Sequence, residues 1–346
     1  MSNANTTASL RRIRVVIPAR NEAGYIADCL QSLIEADRSD LEVEVWVVDG
    51  MSDDTTAAVV RDLAKGHNWI RLLENPARTT PHAMNIGLRP DGYDVGIILG
   101  AHAAVEPDFL QTNMALLRAH PEAGCAGGII QNVYLDTVSG WIGAAMGHPF
   151  GVGSAHFRTG LKEGEVDTVA FGAYRREVFE QVGYFDERLV RNQDDEFNYR
   201  VVKAGWTIRL SAAIRSRYYV RGSFGRLFRQ YRQYGYWKVF VNKLHRTITT
   251  ARQMVPALFV LFLFGGAVLS FLHPFLAIVY AFGLALYALA ALASAVHAAK
   301  RIMDVPGVLA AFFILHLAYG IGYLHGVLEF LLLGREPRKS AHTLTR

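Results

Sequence analysis

The chain has 346 residues, of which 51% are hydrophobic and 19% charged, and its mean hydropathy is +0.16. That length suits one α/β domain of about 200 residues plus a further part. The composition excludes a disordered, collagenous or coiled-coil chain and argues against a purely soluble enzyme. The net charge of +5 is unevenly placed: 11 of the 36 Lys/Arg and none of the 31 Asp/Glu lie between Arg209 and Gln253, so the rest of the chain is mildly acidic. One basic stretch points to a specific anionic partner and not to nucleic acid. Two cysteines, Cys29 and Cys125, cannot build a disulfide framework and lack metal-site spacing. The polar residues 1–12 carry no apolar signal-peptide core, so the first domain is expected in the cytosol.

From residue 13 to 222, short β-branched runs alternate with helical patterns. The runs at 13–17, 43–48, 70–73 and 95–99 predict strands, and helices are expected to start near Glu22, Asp54, Pro81 and Pro107. This rhythm predicts βαβ units in a mostly parallel sheet, whose ligands bind where strands end. The first run ends in Pro18-Ala19-Arg20-Asn21-Glu22, the second in Asp49-Gly50-Met51-Ser52-Asp53-Asp54-Thr55, the fourth in Gly100-Ala101-His102-Ala103. Helix capping explains any one of these; three in a row predict a binding edge. Further on, Gln193-Asp194-Asp195-Glu196 places three carboxylates in sequence. On a helix, Glu196 pairs with Arg200, which leaves Asp194 as the candidate general base.

In residues 223–253, Phe224, Leu227, Phe228, Tyr231, Tyr234, Trp237, Val241, Leu244 and Ile248 recur at helical steps, with arginines interleaved. This pattern predicts a basic amphipathic helix at lipid headgroups. Residues 254–272 and 275–296 carry no charge, and 305–333 carries only Glu329. Each segment is long enough to cross a hydrocarbon core of roughly 30 Å. Three spans put the tail, 334–346, outside, whereas its Arg335, Arg338, Lys339 and Arg346 favour the cytosol. A re-entrant break at Gly320, Gly322 and Gly326 would return it, so the count stands at two to four. His316, Tyr319, His325 and Glu329 are polar groups at helical spacing within the third segment, fit either for helix packing or for contact with a lipid acceptor.

The ordered set Pro18-Ala19-Arg20-Asn21-Glu22, Asp49 with Ser52-Asp53-Asp54-Thr55, Asn85-Ile86-Gly87, Phe171-Gly172-Ala173-Tyr174-Arg175-Arg176, Gly183-Tyr184-Phe185-Asp186-Glu187 and the acidic cluster resembles inverting family 2 glycosyltransferases of GT-A fold. The likeness covers residues 13 to about 240. The exopolysaccharide branch of that family is also similar at Arg229-Gln230-Tyr231, at Tyr234-Gly235-Tyr236-Trp237-Lys238 and at His316-Leu317-Ala318-Tyr319-Gly320-Ile321-Gly322.

The resemblance implies a UDP-sugar donor held by Pro18, Ala19, Arg20, Glu22, Asp49, Arg78, Asn85, Ala101 and His102. It implies Asp194 as the base. Ala173, Gln193, Asp195, Gln230, Arg232, Tyr234, Trp237 and Lys238 would border the acceptor, a polyprenyl-diphosphate-linked saccharide, beside membrane lipids. Two departures matter. The family's metal-binding Asp-x-Asp reads Gly100-Ala101-His102, so either His102 alone anchors Mn²⁺ or Mg²⁺ already on the diphosphate, or a cation such as Arg78 neutralises the leaving group. Gln193 stands where the general motif has Glu, which leaves Asp194 as the base. The Gln-x-x-Arg-Trp motif of processive synthases is absent, since the run reads Gln230-Tyr231-Arg232-Gln233-Tyr234.

The expected protein is a multi-pass enzyme of the bacterial inner membrane with a cytoplasmic catalytic domain, moving a hexose, glucose by resemblance, in exopolysaccharide or related glycan synthesis. A polyprenyl-phosphate sugar synthase and a non-catalytic nucleotide-sugar or lipid scaffold are the rival readings. A lipid phosphate is already ionised and needs no strong base, and a scaffold binds UDP without transfer.

Overall fold

The computed structural model describes residues 10–220, 222–249 and 251–337. Most of the polar tail 1–12, Arg221, and the Arg338, Lys339 and Arg346 end of the basic tail lie outside the described residues. The chain forms two compact units: Met1–Gln131 with His156–Tyr219, and Asn132–Ala155 with Val220–Arg346. One cut near residue 222 was the expectation from sequence; the second unit instead takes in residues 132–155 as well.

The first unit opens with β1 (Arg12–Ala19), α1 (Ile26–Ile34), β2 (Glu42–Asp49), α2 (Thr56–Lys65), β3 (Ile70–Glu74), α3 (Thr80–Leu88) and β4 (Val95–Ile98). The β-branched runs form strands because both faces are covered: Val15, Val16, Ile17, Val45, Val47 and Val48 are all fully buried. On α1, Ile26, Cys29, Leu30 and Leu33 are buried at helical steps against this sheet. After β5 (Ala103–Val105), α4 (Phe109–Ala119) and β6 (Ala123–Tyr134), the chain leaves for α5 (Thr137–Met146) and α6 (Pro149–Val152) of the second unit. It returns as α7 (His156–Thr159), β7 (Gly164–Val166), β8 (Ala170–Arg175), α8 (Arg176–Val182), α9 (Gln193–Lys203) and β9 (Thr207–Val220).

The sheet has nine strands, in the order β3-β2-β1-β4-β8-β6-β9-β5 with β7 on β9. β3, β2, β1 and β4 pair parallel. From β8 onward the pairing is antiparallel. The sheet is therefore mixed: the βαβ crossovers that parallel pairing needs are confined to its first half.

In the second unit, α10 (Phe224–His245) is followed by α11 (Val255–Leu269), α12 (Pro274–Ala298) and α13 (Val305–Gly326), the last continuing as a π-helical turn over Val327–Leu332. Three segments, Ala251–Leu269, Pro274–Ala298 and Ile302–Leu332, are long and apolar enough to cross a membrane. The third runs unbroken through Gly320 and Gly322, so the re-entrant pair does not form. α11 and α12 leave large apolar side chains such as Phe264, Phe271, Ile278 and Phe282 exposed, whereas α13 is buried along half its length.

α5 and α6 pack on α12 and α13. Trp141 donates Nε1–H to Asp304 at 2.9 Å. His316 bonds the Phe150 carbonyl through Nε2 at 2.7 Å and the Tyr287 hydroxyl through Nδ1 at 3.0 Å. Three polar residues of the apolar segments, Tyr287, Asp304 and His316, are thus spent on helix packing. Glu329 likewise accepts from the Tyr236 hydroxyl at 2.5 Å.

α10 forms where the periodicity predicts, but not as a helix with one wet face. Every residue from Gly235 to Asn242 is buried, Lys238 included. The cause is its partner α13. A Cβ on Gly235 would collide with the Tyr319 carbonyl, one on Gly322 with the Arg232 carbonyl and one on Gly326 with the Tyr236 carbonyl. Missing side chains let the two backbones approach. We expect Gly235→Val and Gly322→Val each to cost about 1–3 kcal/mol through overpacking and to lower the melting midpoint of the detergent-solubilised protein. Gly225→Ala on the same helix, where a Cβ meets only ordinary contacts, is expected to leave it unchanged. Equal midpoints for all three would refute this packing.

Candidate active site

The carboxyl ends of β1, β2 and β3 carry the first part of the site, all within the first unit. Each strand is followed by a non-glycine residue in the left-handed region: Asn21 at φ 54°, Met51 at φ 58° and Arg78 at φ 63°. Such strain persists only where neighbours over-determine it, and here the loops are laced together. Asn21 N–H donates to Ser52 Oγ (2.9 Å), Asp53 N–H to Asn21 Oδ1 (2.9 Å), Glu22 N–H to Thr56 Oγ1 (2.8 Å) and Ala23 N–H to Asp54 Oδ2 (3.2 Å). Ser52 donates both its amide and its hydroxyl to Asp49. Burial opposes the charge on Asp54, yet the bonds from Thr56 and Ala23 outweigh it and hold its carboxyl below the usual range.

Beside these loops lies a cavity of about 380 Å³, lined among others by Asp49, Asp53, Asp54, Arg61, Glu74 and Arg78. Four carboxylates against two guanidinium groups make it a site for hydrogen-bond donors, such as a base N–H or ribose hydroxyls, more than for phosphate. Asp49 and Arg78 were predicted to line the donor site. Arg61 and Glu74 were not singled out, because each looks like an ordinary exposed charge in sequence. Ala19 is buried and paired with Asp49 across the β1–β2 ladder. Pro18 and Arg20 are partly exposed at the same edge, with Arg20 packed along Gly50.

Glu22 and His102 meet next to this edge, with His102 Nδ1 3.6 Å from Glu22 Oε1. That nitrogen is buried with no hydrogen-bond partner, and the ring lies edge-on to Tyr218 at 5.1 Å. Where a carboxylate would precede it stands Gly100, whose missing Cβ would lie 3.3 Å from the Phe171 ring. Phe171, itself at φ 49°, fills that space. Among the described residues no three His, Cys, Asp or Glu side chains converge as a cation site. His102 offers at most one protein ligand to a divalent cation, and Glu22 stands beside its Nδ1 without a hydrogen bond to it. Ala101 turns its methyl into the core.

Asp194 is the second residue of α9, whose N-cap Asn192 stands at φ 59°. Its side chain is reached by solvent. The protein packed around it and, second, the charge of Asp195 hold its carboxyl above the ordinary range, against the Asp195 N–H bond at 2.9 Å and the pull of Arg191. Beside it, Gln193 has a buried Oε1 with no partner. Glu196 is locked to Arg200 at 2.8 Å, as expected from the spacing.

Other predicted site residues are placed elsewhere. Asn85 is fully buried, and its amide ties α3 to Phe185 and Glu187 through three bonds. Ala173 lies in the core between β4 and β6. Gln230, Arg232, Tyr234, Trp237 and Lys238 all belong to α10 of the second unit. Gln230 donates to the Tyr234 hydroxyl at 2.9 Å and Arg232 is exposed, while Trp237 and Lys238 are 1% and 0% exposed and present nothing to a ligand at the surface.

The family model described as Glycosyl transferase family 2 matches residues 14–183. The chain is 31% identical over 231 residues, 64% of its own length and 71% of the relative's, to the Methanococcus voltae dolichyl N-acetyl-alpha-D-glucosaminyl phosphate 3-beta-D-2,3-diacetamido-2,3-dideoxy-beta-D-glucuronosyltransferase. It is 29% identical to the Rhizobium meliloti succinoglycan biosynthesis protein ExoA over 91% of this chain and 95% of that one. The solved structure of Pyrobaculum calidifontis mannosyltransferase PcManGT with GDP-Man and Mn²⁺ shares the fold, with a TM-score of 0.58, 21% identity and coverage of 91% and 88%. The chain spans 65% of the length of S. aureus TarS 1-349 solved with UDP-GlcNAc, at 17% identity, 65% of this chain and a TM-score of 0.50. The protein, with its GT-A-like mixed sheet and C-terminal helices able to span a membrane, is a glycosyltransferase and belongs to glycosyl transferase family 2.

Proposed function

We propose that the protein is a membrane-anchored inverting transferase that moves a hexose from a UDP-sugar to a polyprenyl-diphosphate-linked saccharide at the cytoplasmic face of the plasma membrane, in synthesis of exopolysaccharide or a related surface glycan. The observation that carries this reading is the presence, in one unit, of the acidic cavity and of a solvent-reachable Asp194 at the start of α9 beside Asp195. The relatives named for succinoglycan biosynthesis and for a dolichyl-phosphate-linked sugar acceptor support a lipid-linked saccharide, and three apolar helices support its delivery from a membrane. Glucose is the sugar that the resemblance to the exopolysaccharide branch implies.

Asp49 and its neighbours would accept hydrogen bonds from the base and ribose. Asp194 would take the proton of an acceptor hydroxyl as that oxygen bonds to the anomeric carbon, while the bond from that carbon to the diphosphate oxygen breaks and UDP departs with the electron pair. One in-line displacement inverts the anomeric centre. The unpartnered Gln193 Oε1 would accept from a second acceptor hydroxyl and orient it. His102 would be the one protein ligand of a divalent cation carried by the donor, which would supply positive charge to the leaving diphosphate.

Asp194→Asn is expected to lose transfer by 10²-fold or more, on the order of the contribution of a positioned base, with UDP binding and membrane association kept. Retained turnover would remove Asp194 from this role. The base works as a carboxylate, so turnover should fall as pH drops through a pKa above the ordinary carboxylate range. Asp195→Asn, which removes the like charge, should move that acid limb to lower pH. A limb that stays in place in a pH profile of kcat/KM would contradict the assignment.

A further inference from the structure

The acidic character of the nucleoside cavity leaves open what balances the donor's two phosphates. At its rim Arg78 is exposed. A second cation sits elsewhere in the same unit. Arg158, on the single turn α7, lies over the Tyr218 ring with its Cζ 5.4 Å from the ring centroid, and the His102 ring lies 5.1 Å from that same centroid. Strand pairing fixes this neighbourhood: β9 runs beside β5 with Tyr218 opposite Ala103, and Tyr219 donates its N–H to the His102 carbonyl. Tyr219 in turn packs on Tyr25 of the loop after β1, at 5.7 Å. Arg158 makes no ion pair among the described residues, and its Nη1 is buried with no hydrogen-bond partner. Guanidinium groups withdrawn from water normally have an anion or carbonyl oxygens to bond. Glu22, next to this cluster, faces His102.

We propose that Arg158, beside His102, forms the anion subsite that holds the diphosphate of the donor and of the leaving nucleotide, supplying positive charge where Gly100 leaves no carboxylate to hold a cation. The proposal rests on the reading of the neighbouring cavity as a nucleoside site. The Phe157 and Tyr218 rings, each 5.4 Å from its Cζ, position the guanidinium, whose planar fork suits paired oxygens. The segment carrying Arg158 is rich in glycine and gives no periodic signal, and only the return of β9 next to β5 brings it beside His102.

The test is calorimetric titration of the full-length protein in detergent and EDTA with UDP, inorganic pyrophosphate and uridine. Arg158→Ala is expected to weaken UDP and pyrophosphate binding by about tenfold to a hundredfold, the range for one charge-assisted contact, with uridine affinity within about twofold of the wild type. Arg158→Lys, which keeps the charge and not the fork, should fall between. Unchanged UDP affinity in Arg158→Ala, or equal loss for uridine and UDP in both variants, would overturn the subsite. Wild-type binding of pyrophosphate that depends on Arg158, without binding of uridine or preference for UDP, would sink the uridine-donor reading and leave the subsite standing.

Discussion

Parallel strands must return to the same end of the sheet before each new crossover, so every βα loop of β1, β2 and β3 opens at one edge. Here that edge is held by a lattice of hydrogen bonds, from Asn21 to Ser52, from Asp53 to Asn21, from Glu22 to Thr56 and from Ala23 to Asp54. The lattice joins the β1 and β2 loops, in which Asn21 and Met51 stand in left-handed conformations that would otherwise relax. It also points Asp49 and its neighbours into a cavity instead of into solvent. The chemistry assigned to the first unit depends on this constraint: without it the carboxylates would be a scattered set of surface charges.

The second unit solves a different problem. α11 and α12 display apolar side chains outward and need a surrounding that accepts them, whereas α13 is a packing core on which α10 and the α5–α6 excursion are built. Polar groups that reading by residue type flags as functional turn out to be consumed there. His316 holds Phe150 and Tyr287, and Glu329 holds Tyr236. Glycines at 235, 322 and 326 set how closely the helices meet.

Much of the first unit was legible in the sequence. β1 to β4 fall within one or two residues of the β-branched runs, because strands covered on both faces read as nearly continuous apolar stretches. The Glu196–Arg200 pair followed from helical spacing alone. The extent of α10 was legible as well, but its burial was not, since periodicity records one apolar face and cannot register a partner that covers the polar one; Lys238 and Trp237 are the cost of that blindness. Asn85, Ala101 and Ala173 stood in motifs, yet the structure gives them to loop bracing and to the core. The excursion of residues 132–155 and the placement of Arg158 were invisible, because both depend on contacts between segments far apart in the chain.

The central claim is transfer of a sugar, with inversion, onto a lipid-linked acceptor. The most direct measurement gives the detergent-purified protein labelled α-linked UDP-sugars and a membrane lipid extract, then determines by NMR the anomeric configuration of the sugar recovered in the lipid fraction. The account expects a β-linked product. An α-linked product, or label that never enters the lipid fraction with any donor, would contradict it.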